Sequence, residues 1–329
     1  MQAVFKFTEL YMKKFKILLF VLMFNHLGVA FSETLANETH PISPYNNNDK
    51  IKNRNPLIIA HRGGTADGPE NTIPTIESSI QRGAHIIWIT VQLSKDGIPV
   101  LYRPSDLSAL TNLTKPTKVS AMTAKELATL DAGYSFFEGQ ASDTENLYKI
   151  PTLKEVLVKF PHTEFFIDLK SPDAEAKQYI ESVADVIEQT DSVDRTRIYS
   201  TSEAYIGAAK KYSSLNVFKS RAETRDILFG SKLSNQCKAT NNQPGWHAFE
   251  LTRNVEVVEH FMLGEGRTKT TFRWSKDDLS CFDAADNTIV LIGVNTQEDY
   301  QYAKSLGAYA VMVDSPKTAQ CYEKHKECE

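Results

Sequence analysis

The chain has 329 residues, of which 41% are hydrophobic and 24% are charged. This composition is typical of a globular protein, and the length suits one large domain or two small ones. The formal net charge of −4 excludes the strongly basic surface that favours binding to nucleic acid or to an anionic membrane.

The N-terminus has the pattern of a secretory signal peptide. Three lysines within residues 13–16 precede an apolar run over 17–24, and small residues follow up to Ser32. The apolar run is too short to span a bilayer, and no cysteine follows it at a position for lipidation. We therefore predict a signal peptide over 1–32 with cleavage near Ser32, and a secreted or periplasmic protein without a stable membrane anchor. A buried amphipathic first helix is the alternative.

Residues 33–55 contain two prolines and a run of three asparagines. Such a composition buries too little apolar surface to fold alone. We interpret 33–55 as a polar linker and 56–329 as the folded domain. The sequence leaves open whether the chain starts at Met1 or at Met12.

All four cysteines, Cys237, Cys281, Cys321 and Cys328, lie in the last third of the chain. Their spacing does not match a metal site. An oxidising compartment would allow up to two disulfides, in any of three pairings. Free or buried thiols are the alternative.

After residue 56, short β-rich runs alternate with longer helical patterns. This alternation predicts parallel strands joined by helices. The predicted strands are Leu57 to Ala60, Ile86 to Leu93, Phe165 to Leu169, Ile198 to Thr201, Val217 to Lys219, Trp246 to Leu251, Ile289 to Val294 and Ala310 to Val313. Eight such strands suit a TIM (β/α)8 barrel of the α/β class. An open doubly wound sheet is the alternative, because alternation does not distinguish a closed sheet from an open one.

One further run, Ile98 to Tyr102, is predicted to form a hairpin with the second strand. Residues 95–97 leave room only for a tight turn, whereas a parallel crossover needs a dozen residues or more. Pairing outward from that turn places Arg103 roughly opposite Trp88. We therefore expect these two side chains to be neighbours.

Ordered motifs begin at the end of the first predicted strand. The chain has Ala60-His61-Arg62-Gly63-Gly64, Pro69-Glu70-Asn71-Thr72, Gly83-Ala84 and VQLSKDGIPV over 91–100, followed by blocks at 150–157, 166–170, 294–295 and 313–316. In this order they resemble the glycerophosphodiester phosphodiesterase family, from residue 56 to about residue 316. The resemblance implies a TIM barrel of the PLC-like phosphodiesterase type. It also implies hydrolysis of glycerophosphodiesters such as glycerophosphocholine to glycerol 3-phosphate and an alcohol.

The resemblance assigns roles to five residues. The family uses two histidines as general acid and base, a divalent ion held by three carboxylates, and an arginine that binds the phosphate. His61 and Arg62 match the first histidine and the arginine. Glu70 matches the motif glutamate and is assigned to substrate binding, and Lys170 matches a phosphate contact. Asp168 falls at the third metal carboxylate.

Three positions depart from the family pattern. Where the family has Glu-x-Asp as metal ligands, this chain has Trp88-Ile89-Thr90, and Arg103 stands in place of the second histidine. One carboxylate is too few to hold Ca²⁺ or Mg²⁺ against water, and arginine is too basic to act as a general base. We therefore expect no metal cofactor unless the protein is active. We expect metal-dependent catalysis to be lost and phosphate binding by Arg62, Arg103 and Lys170 to be retained.

A rebuilt site would need other residues. His247 and Glu250 lie on the predicted sixth strand, and Asp106 and Asp314 lie near the predicted barrel mouth. His85 has the odd offset from Trp88 that turns it toward the outer helices, which favours a structural role. Three functions stay open: binding of a small phosphodiester or lipid-derived ligand, active phosphoric diester hydrolysis of glycerophosphodiesters or lysophospholipids, and a toxin-like phospholipase of a related barrel family, whose metal site Asp168 fits but Trp88 and Thr90 do not.

Overall fold

A computed structural model describes residues 54–139, 148–234, 244–283 and 287–324. These four ranges fall within one compact unit of the chain. The predicted signal peptide, and the predicted linker up to residue 53, lie outside the described residues. Within the described ranges, no helix is long and apolar enough to cross a membrane.

Strands and helices alternate along the chain. The strands are β1 Leu57–His61, β2 Ile86–Leu93, β3 Pro99–Leu101, β4 Glu164–Leu169, β5 Thr196–Tyr199, β6 Trp246–Glu250, β7 Thr252–Phe261, β8 Gly264–Arg273, β9 Thr288–Ile292 and β10 Ala310–Val313. The helices are α1 Ile73–Gln81, α2 Ala124–Leu127, α3 Leu153–Lys159, α4 Ala176–Gln189, α5 Glu203–Ala209, α6 Arg221–Ser234, α7 Lys276–Asp283, α8 Gln297–Ser305 and α9 Pro316–Lys324.

Local sequence explains the type of each element. All eight residues of β2 are buried, as expected of a parallel strand covered on both faces. In α4 the buried residues recur at helical spacing, from Tyr179 to Ile187, and form the stripe that packs on the sheet. Gly307 follows α8 with φ 76°, a left-handed conformation that commonly ends helices at glycine.

The main sheet closes into a barrel. Its parallel strands run in the order β5, β4, β2, β1, β10, β9, β6. Residues 216–219 join the two outer strands: Phe218 donates its N–H to the carbonyl of Ile198 on β5, and Lys219 donates to the carbonyl of Trp246 on β6. The predicted TIM barrel is therefore confirmed, and the open doubly wound sheet is excluded. The fifth predicted strand is reduced to a single bridge, between Val217 and Ile198.

The predicted hairpin is present, but its register differs by one residue from the prediction. β3 pairs antiparallel with β2 through Val91 with Leu101 and Leu93 with Pro99. Continued outward, this register aligns Arg103 with Ile89, whose side chain faces away from that of Trp88. Trp88 is buried and Arg103 is exposed. The expected pairing of Arg103 with Trp88 is therefore wrong, because a shift of one residue exchanges the two faces of a strand.

The barrel interior is filled mainly by aromatic and branched side chains. The ring centroid of Trp88 lies 4.9 Å from that of Tyr199 and 6.1 Å from that of Phe166, and Phe218 completes this inner cluster. Separate apolar clusters pack the outer helices against the sheet. The Trp88 indole thus forms part of the packed core beneath the barrel mouth.

The cysteines are partly described. Cys281, on α7, is disulfide-bonded, and Cys321, on α9, is free. Cys237 and Cys328 lie outside the described residues. At least one disulfide, one of the alternatives left open by the sequence, is therefore present.

Candidate active site

Strand alternation assembles the site at the carboxyl ends of the barrel strands. His61 pairs in register with Trp88, and Asp168 pairs with Thr90 on one side and with Tyr199 on the other. Trp88 belongs to the cluster that fills the barrel interior, so residues at even offsets from it also face inward. TIM-barrel active sites lie at this end.

The turn after β1 positions Arg62. Arg62, Gly63 and Gly64 have φ values of 49°, 84° and 109°, and two consecutive glycines make this left-handed path accessible. A Cβ on Gly64 would lie 2.7 Å from the Ser79 hydroxyl. The Arg62 guanidinium is thereby held in an ion pair with Glu70, which joins two residues predicted to bind the ligand.

The Asp168 carboxylate forms an ion pair with Lys170. Lys170 Nζ lies 2.8 Å from Asp168 Oδ1, and Asp168 is only 7% exposed. Burial raises the pKa of Asp168, while Lys170, a hydrogen-bonding contact from the Trp88 indole and the charge of Arg62 act in the opposite direction. The predicted metal carboxylate and the predicted phosphate lysine therefore bind each other.

His61 is oriented by Asp314, which follows the neighbouring strand β10. His61 Nδ1 lies 2.6 Å from Asp314 Oδ1, and no described residue bonds to its Nε2. Hydrogen bonding and charge from His61, with help from Thr65 and Asn295, lower the pKa of Asp314 to about 2. Asp314 therefore stays ionised and fixes the ring, which leaves Nε2 available for proton transfer or for an anion.

Asn295 fixes Asp314 in turn. Its Nδ2 donates to Asp314 Oδ2 at 2.6 Å, and its Oδ1 accepts from the Asp314 backbone N–H at 2.8 Å. Thr65 donates its hydroxyl to Asp314 Oδ1 at 3.0 Å. The carboxylate thus has a fixed position before any ligand is bound.

Thr90 contributes backbone rather than side-chain interactions. It is 1% exposed, and its N–H donates to Asn71 Oδ1 at 2.9 Å. Asn71 is fully enclosed, and among the described residues its Nδ2 has no hydrogen-bond partner. The same holds for Oε1 of Glu70, so unpaired polar atoms lie next to the Arg62 ion pair.

Arg103 is not brought into these pairs. Its side chain is exposed, and it forms no ion pair with any described residue. Its backbone carbonyl accepts a hydrogen bond from Gln92 Nε2 at 3.3 Å. The same Nε2 also donates to the backbone carbonyls of Tyr102 and Pro104. Gln92 therefore fixes the chain after β3 and leaves the Arg103 guanidinium in solvent.

The residues considered for a rebuilt site have structural explanations. His247 is 1% exposed, and its Nδ1 lies 2.9 Å from the Thr224 hydroxyl; burial lowers its pKa to about 4. Asp106 caps a short 3₁₀ helix, and Nδ1 of His85 accepts from the Ile58 N–H. Glu250 lies at the mouth, where Arg221 contacts it at 3.2 Å.

Comparison with known proteins now decides the family. The model of the Glycerophosphoryl diester phosphodiesterase family matches residues 61–318, which is most of the chain. The chain belongs to this family. The match begins at His61 and extends past Asp314, so it covers the whole of the candidate site.

Relatives within the phosphodiesterase family agree with this placement. The uncharacterized protein Rv2277c of Mycobacterium tuberculosis is 37% identical over 272 residues, which cover 80% of this chain and 89% of that protein. The glycerophosphodiester phosphodiesterase of Bacillus subtilis is 33% identical over 137 residues, which cover 40% of this chain and 46% of that enzyme.

Solved structures agree as well. The crystal structure of the glycerophosphoryl diester phosphodiesterase domain of Rv2277c has a TM-score of 0.73 and 35% identity, covering 82% of this chain and 100% of that domain. A phosphodiesterase of Oleispira antarctica, solved with the product sn-glycerol-3-phosphate, has a TM-score of 0.61 and 21% identity, covering 82% of this chain and 97% of that one. The second likeness concerns the fold alone.

Enzymes of the phosphodiesterase family are typically dependent on a divalent metal, which requires several oxygen ligands in one place. Among the described residues, no group of three or more His, Cys, Asp or Glu side chains is placed to hold a metal ion. Trp88 and Thr90 offer no anionic oxygen, and Asp168 is paired with Lys170. The described residues therefore do not fit Ca²⁺ or Mg²⁺, which need several oxygen ligands.

The role of Asp314 was only partly predicted. The sequence indicated a carboxylate near the mouth, but not its contact with His61, which lies 253 residues away. Asn295 and Thr65 were not predicted as partners. Position was the only signal available in the sequence. Asp314 directly follows β10, and β10 pairs with β1. The side chains of Asp314 and His61 therefore lie at the same end of the barrel.

Proposed function

We propose that this family member binds the phosphodiester group of a small, lipid-derived ligand at the barrel mouth and does not carry out metal-dependent hydrolysis. The observation that carries the proposal is the 2.8 Å ion pair between Lys170 and Asp168. This pair occupies the carboxylate that the family resemblance assigns to the metal. A divalent cation would have to displace Lys170 and still lack further anionic ligands.

The same ion pairs leave donors for an anion. Arg62 has five N–H donors and forms an ion pair through Nη1 with Glu70. Lys170 has three N–H donors, with contacts to Asp168 and, at 3.4 Å, to Thr201. The remaining donors of both cations can bind phosphodiester oxygens through charge-assisted hydrogen bonds. Arg103, unpaired among the described residues and exposed, is assigned to the same anion as an outer contact.

Calorimetric titration with glycerophosphocholine tests the binding. We expect saturable binding that is unchanged by EDTA and about tenfold weaker in Arg62→Lys, because lysine keeps the charge but loses the planar fork. Arg225→Lys, an exposed position on α6, is the matched control and should bind like the wild type. The absence of binding by the wild type would contradict the proposal.

Product formation tests the proposed loss of hydrolysis. We expect ³¹P NMR to detect no glycerol 3-phosphate from glycerophosphocholine with either Ca²⁺ or Mg²⁺. Metal-dependent turnover that disappears in His61→Ala would overturn this part of the proposal.

A metal-independent hydrolase is the second candidate, and the 2.6 Å contact between His61 and Asp314 favours it. An oriented imidazole can transfer a proton through Nε2, and Arg62 and Lys170 would balance the phosphoryl charge. This function predicts EDTA-resistant turnover of glycerophosphocholine or a lysophospholipid. Turnover should be abolished in His61→Ala and reduced in Asp314→Asn. Turnover with this pattern would replace the first proposal.

We also propose that the protein is exported, based on the lysine-flanked apolar run over 17–24. N-terminal sequencing of the mature protein is expected to begin close to residue 33. A mature chain that retains residues 12–32 would contradict export with cleavage.

A further inference from the structure

The connection after β6 forms a long two-stranded arm. One residue separates Glu250, the last residue of β6, from the start of β7, and each arm strand has ten residues. At about 3.3 Å per residue, each strand is roughly 33 Å long. β7 and β8 form a sheet of their own. The arm starts at the same end of the barrel as the candidate site.

The tip of this arm is apolar and exposed. Phe261 pairs with Gly264, so Met262 and Leu263 are the two turn residues. Phe261 is 62% exposed, and Met262 and Leu263 are both fully exposed, at 101%. Turns of this length usually contain Asn, Asp or Gly, and three adjacent large apolar side chains in water indicate a binding surface.

The ionisable side chains next to the tip are paired with each other, except Glu259, which forms no ion pair with any described residue. His260 lies 3.1 Å from Glu265, and Arg267 lies 2.8 Å from Glu265 and 3.1 Å from Glu256. An apolar phase could therefore receive the three tip residues without taking up an unpaired charge from these paired neighbours. Glu256 pairs in register with Lys269, and residues 256–269 contain three glutamates, one arginine and one lysine, so this end of the arm is weakly acidic.

We propose that the tip, Phe261, Met262 and Leu263, inserts into the interface of a zwitterionic phospholipid bilayer and docks the protein on it. Three side chains offer much less than the roughly 800 Å² per partner of a stable protein interface. A second copy of this chain, or another folded protein, would therefore be held weakly by the tip alone. A bilayer accepts aromatic and aliphatic side chains without shape complementarity.

Charge selects the kind of bilayer. Anionic lipids attract basic surfaces, whereas this end of the arm is weakly acidic and the whole chain has a net charge of −4. A neutral phosphatidylcholine surface is therefore the matching partner. The inference goes beyond ligand binding at the mouth and does not depend on it.

Flotation with phosphatidylcholine vesicles tests the inference on the full chain. We expect the wild type to float with the vesicles and the triple variant Phe261→Ser, Met262→Ser, Leu263→Ser to partition at least tenfold less. The matched control replaces two apolar residues exposed elsewhere, Phe136→Ser and Val158→Ser, which are 43% and 61% exposed. This control should float like the wild type, and circular dichroism should show that all three proteins are folded.

A positional readout completes the test. In Met262→Trp, vesicles should shift the tryptophan emission to shorter wavelength relative to the wild type, because the added indole enters an apolar phase. The inference is overturned if the wild type does not float, if the triple variant floats equally well, or if the emission does not shift. A dimer in sedimentation that the triple variant loses would also overturn it, in favour of a contact between copies. Glycerophosphocholine binding should be equal in the triple variant and the wild type, which separates this inference from the proposed function.

Discussion

Lys170 Nζ lies 2.8 Å from Asp168 Oδ1, and the Asp168 carboxylate is enclosed by the barrel, with only 7% of the residue exposed. Asp168 is thus a buried anion neutralised from within the protein rather than an open ligand. Since β4 carries Asp168 and the lysine follows it by two residues, the cation comes from the same end of the same strand.

Removal of this lysine should destabilise the protein. Lys170→Met leaves the Asp168 carboxylate buried without its cation, and we expect the free energy of unfolding at pH 7 to fall by about 2–3 kcal/mol. The control is Lys177→Met. The Lys177 side chain is 77% exposed and forms a helical pair with Glu181, so its replacement should lower the free energy of unfolding by less than about 0.5 kcal/mol. Urea unfolding measures both values. Equal losses would show that the Asp168 pair has no special weight.

Acid should weaken the His61–Asp314 contact. The pKa of Asp314 is lowered from 3.8 to about 2, so its stabilising effect is fully present above about pH 4 and is lost as the pH falls through 2. The Asp314 side chain is 41% exposed, and solvent screening reduces the expected effect to about 1 kcal/mol. Asp314→Asn should therefore be less stable than the wild type at pH 7, and the difference should vanish near pH 2. A difference that does not change between pH 7 and 2 in urea unfolding would contradict this assignment.

His247 should cause a separate loss of stability at milder pH. Burial lowers its pKa from 6.5 to about 4, so the unfolded chain takes up a proton first as the pH falls. The contribution of the neutral, buried His247 to the free energy of unfolding is fully present above about pH 6.5. It is lost as the pH falls toward 4, by about 3 kcal/mol. His247→Gln should lose that much less stability than the wild type between pH 7 and 4. His162→Gln, at an exposed position, is the control and should follow the wild type.

A metal site should be restorable at the inward-facing positions of β2 beside Asp168. In Trp88→Glu, Thr90→Asp, two carboxylates would face inward on β2 beside Asp168, which pairs with Thr90 in register. Loss of the buried indole should cost about 3–5 kcal/mol, and Ca²⁺ at 100 times its Kd should return about 2.7 kcal/mol. Thermal unfolding should show a Ca²⁺-dependent rise in Tm for this variant and none for the wild type. Adding Asp168→Asn should abolish the rise; its persistence would mean that Asp168 is not a ligand.

Much of the fold was predictable because strand signals are local. The boundaries of Ile86–Leu93 and Ala310–Val313 match the predicted strands residue for residue, since apolar β-rich runs between turn residues identify themselves in sequence. The bridge at Val217 was predicted as a strand and is shorter. The hairpin was predicted, but its register was wrong by one residue, because a three-residue turn does not fix which side chains lie opposite each other.

The sequence by itself determined the alternation of strands and helices, the family motifs and the residue types at the barrel mouth. It also determined which side chains share a face within each strand, because that follows from counting in twos along the strand. Only the tertiary structure decided how those side chains are paired: His61 with Asp314, Arg62 with Glu70, and Asp168 with Lys170. Parallel pairing of β1 with β10 brings residues 253 positions apart within 2.6 Å, and such contacts depend on register and side-chain geometry that no local pattern encodes.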